Sequence, residues 1–586
     1  MKKLLKYYKP YKVAIAGALL LLLLQVLSDL ALPNYMAKII NNGIIPGDIR
    51  YIFTAGIQML ALALICTLCA GGVGFFAARI GAKSSMKIRS DVFRKVSDFA
   101  NPEFDKFSTA SLITRSTNDI QQIQMLVIVM FRMVLMAPMM GIGALFMAYK
   151  NSPSMTWTIV LALMVVLGLL GSLFALTTPK FKLVQKLVDR LNLVMNERLT
   201  GILVIRAFNT EVHEEARFDE TNEQLTKLNL FVNRVMMFMM PMMMLVMNGV
   251  SILILWTGAK RIDQNLLAVG DMLAFIQYTM LVIMSFMMVS MVFVMMPRAL
   301  VSAQRISEVL ETEVSIIDTK TPACFNESLE KTGYIEFRQV SFKYPDAQDY
   351  VLKDLNFIAK PGETTALIGS TGSGKTTVVN LIPRFYDVTE GQILINGTDI
   401  RRFSQKDLRE QIGYVPQKAV LFTGTIESNI LYGVNGAACG ADAMKSVAYN
   451  GAKTAQALDF IKEKPQGFET EVSQGGTNVS GGQKQRLSIA RALAKKPPIY
   501  IFDDSFSALD FQTDNALRRA LKEETGDSTI LIVAQRISTI KNAEQIIVMD
   551  DGKIVEKGTH GQLLKECNVY KEIASSQLDE KELDYE

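Results

Sequence analysis

Six stretches of the chain are almost free of charge, and polar intervals separate them. Residues 13–32 (VAIAGALLLLLLQVLSDLAL) carry only Asp29, and the run at about 120–149 carries only Arg132. Residues 51–78, 154–178, 235–259 and 272–296 carry no charge at all. A helix of about 20 apolar residues crosses a bilayer, so the pattern predicts six spanning helices. The first run is long, lacks a clear small-x-small cleavage site and is followed by five more; it reads as a transmembrane helix rather than a secretory signal. Lys2, Lys3, Lys6, Lys9 and Lys12 precede it without an acid, which predicts a cytoplasmic N-terminus. The intervals 79–119 and 179–234 then face inward, while 33–50, 150–153 and 260–271 face outward. Because the inward intervals are the long ones, the helices are expected to continue well below the membrane.

The texture changes after about residue 300. Residues 301–332 are polar, and from Tyr334 onward short apolar strands alternate with helical stretches and glycine turns, the pattern of an α/β domain. The resulting division is a six-helix transmembrane domain over 1–310, a linker over 311–332, an α/β domain over 333–573 and an acidic tail over 574–586. A content of 49% hydrophobic and 20% charged residues is apolar for this length and agrees with lipid as a solvent. The net charge of +5 gives no reason to expect a nucleic-acid partner. Five cysteines lack paired spacing, and Cys66 and Cys69 lie in an uncharged run, so neither a disulfide framework nor a metal site is expected. Sixteen of the 32 methionines fall between Met236 and Met296. They read either as ordinary packing side chains or as a plastic wall for varied apolar ligands, since the unbranched thioether adapts to many shapes. Asp29, Arg132, Asn248 and Gln277 are the candidate polar points within the spans.

The chemistry lies in the α/β part. GSTGSGKT (Gly369, Ser370, Thr371, Gly372, Ser373, Gly374, Lys375, Thr376) has phosphate-loop spacing, with Thr377 following. The glycines let backbone N–H groups turn toward phosphate oxygens, Lys375 neutralises the terminal phosphates and Thr376 can ligate magnesium. TTALI before the loop reads as a strand, and TTVVNLI after it as a helix that opens on the phosphates. Asp503 ends the apolar strand IYIF, where a carboxylate can hold magnesium.

Beside these stand YVPQ with Gln417, VSGGQ (Val479–Gln483) and SALD (Ser507–Asp510). Here the chain resembles the ATP-binding cassette (ABC) family, with VSGGQ as its signature motif and SALD as its D-loop. The resemblance implies that Tyr344 in FKYP stacks on adenine and that Gln417 joins Thr376 and Asp503 around magnesium. It also implies that Ser480, Gly481, Gly482, Gln483 and Asp510 complete an ATP site in trans, on a second cassette. Six spans followed by one cassette look like an exporter half-transporter of a cytoplasmic membrane. The stretches 104–120 and 201–220 are similar to the family's two intracellular loops, whose short helices dock onto cassettes. An N-terminal protease domain, usual in peptide-processing exporters, is not expected ahead of a span that begins near residue 13.

Two departures qualify the resemblance. Where the family usually has a glutamate that orients the attacking water, this chain has Asp504, and where it has a switch histidine, this chain has Gln535. The shorter acid retracts the carboxylate by about 1.5 Å, roughly one C–C bond. An amide can hydrogen-bond a γ-phosphate but carries no proton or charge near neutral pH. His213 and His560, the two histidines, do not follow such a strand. The expectation is a weakly hydrolysing ATP and Mg2+ site in a heterodimer with a non-identical half-transporter that moves a lipophilic drug- or lipid-like substrate. A homodimer with a slow Asp504, a peptide exporter subunit and an ATP-gated or regulatory membrane subunit remain alternatives.

Overall fold

The computed structural model describes residues 4–325, 333–345, 347–434 and 440–577. They form two compact units, Met1–Ser97 with Thr109–Thr312, and Asp98–Ser108 with Glu313–Glu586. The end of the acidic tail, residues 578–586, and linker residues 326–332 lie outside the described residues.

The first unit is helical. Six apolar helical stretches, Leu4–Ile44, Ile49–Ser97, Thr109–Asn151, Pro153–Thr200, Glu211–Asp263 and Val269–Glu311, are each long enough to cross a membrane. At about 1.5 Å per residue, stretches of 41 to 53 residues measure about 60 to 80 Å, against a hydrocarbon core of about 30 Å. The spare length carries them far into water, where residues such as Lys87 and Asp91 pair at helical spacing. The first stretch packs against the second, the fourth against the fifth, and the sixth against the third. Val26, Leu30, Ala144, Ile159, Ile254 and Phe275 belong to one buried cluster. Tyr278, fully buried there, places its hydroxyl on the Leu30 carbonyl at 2.9 Å, which satisfies the one polar atom of its ring.

Of the polar points named from sequence, Asp29 accepts a hydrogen bond from the Cys66 thiol at 2.8 Å. That contact gives Cys66 of the CTLC stretch a polar partner within the apolar run. Arg132, Asn248 and Gln277 lie on the exposed surface of this unit.

The second unit holds two main sheets. A four-stranded antiparallel sheet has the order Leu352–Ala359, Ile335–Phe342, Glu390–Ile395, Thr398–Asp399. A six-stranded sheet has the order Lys553–Gly558, Gln545–Asp550, Thr364–Gly369, Thr529–Val533, Ile499–Asp503, Ile412–Val415. All its pairings are parallel except the edge pair Lys553–Gly558 with Gln545–Asp550. Strands covered on both faces read as unbroken apolar runs; accordingly Ile499–Asp503 and Thr529–Val533 are buried at every position.

Two segments leave the places that chain order gives them. Residues 98–108, counted with the membrane domain in the sequence reading, pack with the cassette: the short helix Asn101–Lys106 is tied there by the Tyr386 hydroxyl, which donates to Asp105 Oδ2 at 2.9 Å. Burial, and then the Asp105 carboxylate, hold that phenol well above its ordinary pKa. The first part of the linker is also bound, with Ile316 buried, the Ala323 N–H on the Arg402 carbonyl at 2.9 Å, and Phe325 stacked on Phe403 at 3.9 Å between centroids.

Candidate functional site

Parallel α/β sheets bind ligands beyond the carboxyl ends of their strands. Three neighbouring strands end together here, at Gly369, Asp503 and Val533, with Val533 in register with Asp503. The cleft they open has a volume of about 280 Å³ and is lined by Thr371, Gly372, Gly374 to Thr377, Gln417, Asp504 and Gln535.

The phosphate loop passes straight into the helix Lys375–Leu381, capped by Gly374 at φ +95°. A Cβ at Gly374 would stand 2.6 Å from Leu352 Cδ2, so both the backbone angle and the space require glycine. Lys375 curls into the loop, its Nζ donating to the carbonyls of Gly369 at 2.9 Å and Ser370 at 2.7 Å. Burial lowers its pKa, opposed by the charges of Asp504 and Asp503. Thr376 Oγ1 donates to Asp503 Oδ1 at 3.0 Å, so two residues named as metal ligands already touch. Asp503 is 1% exposed, and burial pushes its pKa up to about 6; Asp504 adds to the rise, while Thr376 and Lys375 oppose it. One ammonium thus shares the cleft with two carboxylates, of which Asp503 is buried and Asp504 partly exposed. A donor set of hydroxyl, carboxylate and amide oxygens that lacks positive charge fits a hard divalent cation; Thr376 and Asp503 are in contact and Gln417 lines the same cleft, so these are the residues that could hold it.

Asp504 follows at φ +47°, in the left-handed region that aspartate tolerates better than most residues, with its N–H on the Val533 carbonyl at 3.0 Å. Its Oδ2 accepts two amide hydrogen bonds, from Gln417 Nε2 at 3.2 Å and from Gln535 Nε2 at 2.7 Å. Burial raises the Asp504 pKa, and these two amides, Lys375 and Ser507 oppose it. Both departures from the family pattern therefore meet on one oxygen.

The remaining named residues sit around this centre. Tyr344 lies within hydrogen-bond distance of Thr377, hydroxyl to Oγ1 at 3.0 Å, and packs edge-on against Tyr386 at 5.2 Å. Ser480 caps the helix Gly481–Ala494 in a reciprocal box with Gln483, the Ser480 N–H on Gln483 Oε1 at 3.1 Å. Ser480 and Gly481 are exposed and do not line the cleft. Asp510 caps the helix Phe511–Glu524 through the Thr513 N–H at 2.9 Å. His560 pairs with the Tyr570 hydroxyl at 2.7 Å and His213 is exposed on a helix; neither lines the cleft. Sequence reading missed Tyr386 and Gln577, whose partners are remote in the chain; no local pattern marks either.

The chain is similar to known proteins over nearly its whole length. The ABC transporter transmembrane region family matches residues 15–286, and the ABC transporter family matches residues 352–507. An uncharacterized ABC transporter ATP-binding protein of Mycobacterium tuberculosis is 38% identical over 574 residues, 98% of this chain and 97% of that one. The ATP-dependent lipid A-core flippase of Pseudomonas aeruginosa is 32% identical over 542 residues, covering 91% of this chain and 87% of its own. A solved bacterial Atm1-family ABC exporter with ATP bound superposes with a TM-score of 0.78 at 25% identity, over 97% of this chain and 99% of that one. Six membrane-capable helices joined to an ATPase domain make this a multi-pass membrane protein with its ATPase in the cytoplasm, and the chain belongs to the ABC transporter family as an exporter whose ATP hydrolysis is coupled to transport.

Proposed function

We propose that this chain is the weakly hydrolysing half of a heterodimeric exporter that moves a lipophilic, drug- or lipid-like substrate. The observation that carries the reading is the double amide contact on Asp504 Oδ2. A residue that orients an attacking water needs a free carboxylate oxygen within hydrogen-bond reach of that water. Asp504 is about one C–C bond short of that reach, and one of its oxygens is occupied by Gln417 and Gln535. A misplacement of about 1 Å costs on the order of 100-fold in rate, about 2.7 kcal/mol of barrier. Gln535 can donate a hydrogen bond but supplies neither the charge nor the proton of an imidazolium, because an amide does not titrate near neutral pH.

ATP retention, by contrast, needs the loop, Lys375, Thr376 and Asp503, and these are in place. Magnesium, when bound, supplies the positive charge that two carboxylates and a triphosphate call for. The exposed, capped signature at Ser480 is free to complete a second site on a partner whose own phosphate loop carries the full catalytic pair. That partner is a non-identical half-transporter.

For the substrate, support comes from a groove of about 490 Å³ between the fourth and fifth helical stretches, lined by Leu169, Leu173, Phe238, Met239, Met242 and Arg234. The likeness to a lipid A-core flippase points the same way. The test is ATP hydrolysis by the purified chain without a partner. Slow turnover with tight ATP binding is expected; robust turnover that Asp504→Asn abolishes would instead identify a homodimer.

A further inference from the structure

The C-terminal helix Asn568–Ser575 is anchored by Tyr570 and Ala574, both fully buried. Just beyond it, Gln577 turns its side-chain amide onto the loop between the strand Thr529–Val533 and the helix Ile537–Ile540. Gln577 Nε2 donates to the Gln535 carbonyl at 2.8 Å, and the Ile537 N–H donates to Gln577 Oε1 at 2.9 Å. One primary amide thus bridges two main-chain groups on either side of Arg536. The side chain of the same Gln535 reaches Asp504 Oδ2 at 2.7 Å and lines the nucleotide cleft with Lys375 and Thr376.

We propose that Gln577 is a positioning residue for γ-phosphate detection. It holds the backbone of Gln535 where that side chain can reach into the cleft, without touching nucleotide itself. The geometry explains why a residue at the far end of the chain spends both of its hydrogen-bonding groups on this loop. It also makes the effect selective. A nucleotide that ends at the β-phosphate has no group for Gln535 to meet, so loosening the loop weakens ATP and spares ADP. The inference rests on reading Gln535 as the group that meets the γ-phosphate, and is independent of how fast the site hydrolyses or who the partner is.

The test compares the affinities of MANT-ATP and MANT-ADP, with magnesium, for the full chain in nanodiscs. Gln577→Leu removes both bonds at similar size, and ATP affinity is expected to fall about tenfold, at the low end for two hydrogen bonds, while ADP affinity stays the same. Gln577→Glu keeps an acceptor for the Ile537 N–H but sets a carboxylate against the Gln535 carbonyl. The Ile537 amide then stays protected from hydrogen exchange while the ATP preference still falls, a result that decides the matter should the leucine variant misfold. An unchanged ATP-to-ADP ratio in the folded variants, or an equal loss for both nucleotides, overturns the proposal. Fast hydrolysis by the wild-type chain alone would refute the weak site and leave this ratio untouched.

Discussion

Glu103→Gln replaces a single oxygen, and the structure assigns that oxygen a measurable task. Glu103 is 5% exposed in the short helix Asn101–Lys106. Its Oε2 accepts the Ala100 N–H at 2.8 Å, and its Oε1 accepts the Ser315 N–H at 3.0 Å. One carboxylate therefore caps the helix and ties it to the segment that follows the last spanning helix. In the glutamine variant one of the two backbone donors must face an NH2 group. A hydrogen bond to a charged acceptor contributes about 1.5–3 kcal/mol, and stranding a buried donor costs a similar amount. The packing of Phe99 on Phe104 and Phe107 and the Tyr386–Asp105 bond are retained. A net loosening of about 2 kcal/mol is the expected balance, roughly 30-fold in the equilibrium of the bound helix. Hydrogen exchange of the Ala100 and Ser315 amides in the reconstituted chain reads this directly. At least one should exchange roughly 30-fold faster, and because the family's intracellular-loop helices transmit motion, transport per ATP should fall. Wild-type protection at both amides would refute the assignment.

Further outcomes follow from the same contacts. Gly374→Ala should abolish ATP binding, measured with MANT-ATP, because its Cβ meets Leu352 at 2.6 Å and its φ is +95°. Asp504→Glu combined with Gln535→His should raise phosphate release at this chain's phosphate loop on the order of 100-fold; no rise in a variant that still binds ATP would show that other groups limit the rate. Asp503 has a folded pKa of about 6, above its unfolded value of 3.8, so the folded state binds the extra proton between those values. Its stabilising effect is complete below about pH 4 and is lost as pH rises through about 6. Relative to Asp503→Asn in EDTA, the wild type should therefore lose melting temperature over that window, and magnesium should restore it at pH 7. A pH-independent difference between the two proteins would contradict this.

Local signals were readable in the sequence and remote ones were not. Charge-free runs longer than 20 residues announce spans because lipid leaves no other solution for the backbone. The phosphate loop is equally legible, since its spacing acts within eight residues. The continuation of the helices below the membrane follows from the lengths of the inward intervals, and the resemblance implies that the loop at 104–120 docks onto a cassette, but no local signal separates residues 98–108 from the transmembrane domain. Their packing with the cassette depends on Tyr386 meeting Asp105, 281 residues away. Gln577 was invisible for the same reason, since its partners lie 42 and 40 residues upstream. Asp504 and Gln535 stood out singly as departures from a pattern; that both bear on one oxygen, together with Gln417, required coordinates.

The most direct test of a pocket that grips ATP rather than cutting it is the fate of the γ-phosphate in the assembled complex. Photolabelling with 8-azido-ATP carrying label at the γ-position, after many turnovers, should leave the label on this chain and remove it from its partner. Equal loss from both subunits, or a complex containing two copies of this chain alone, would contradict the account.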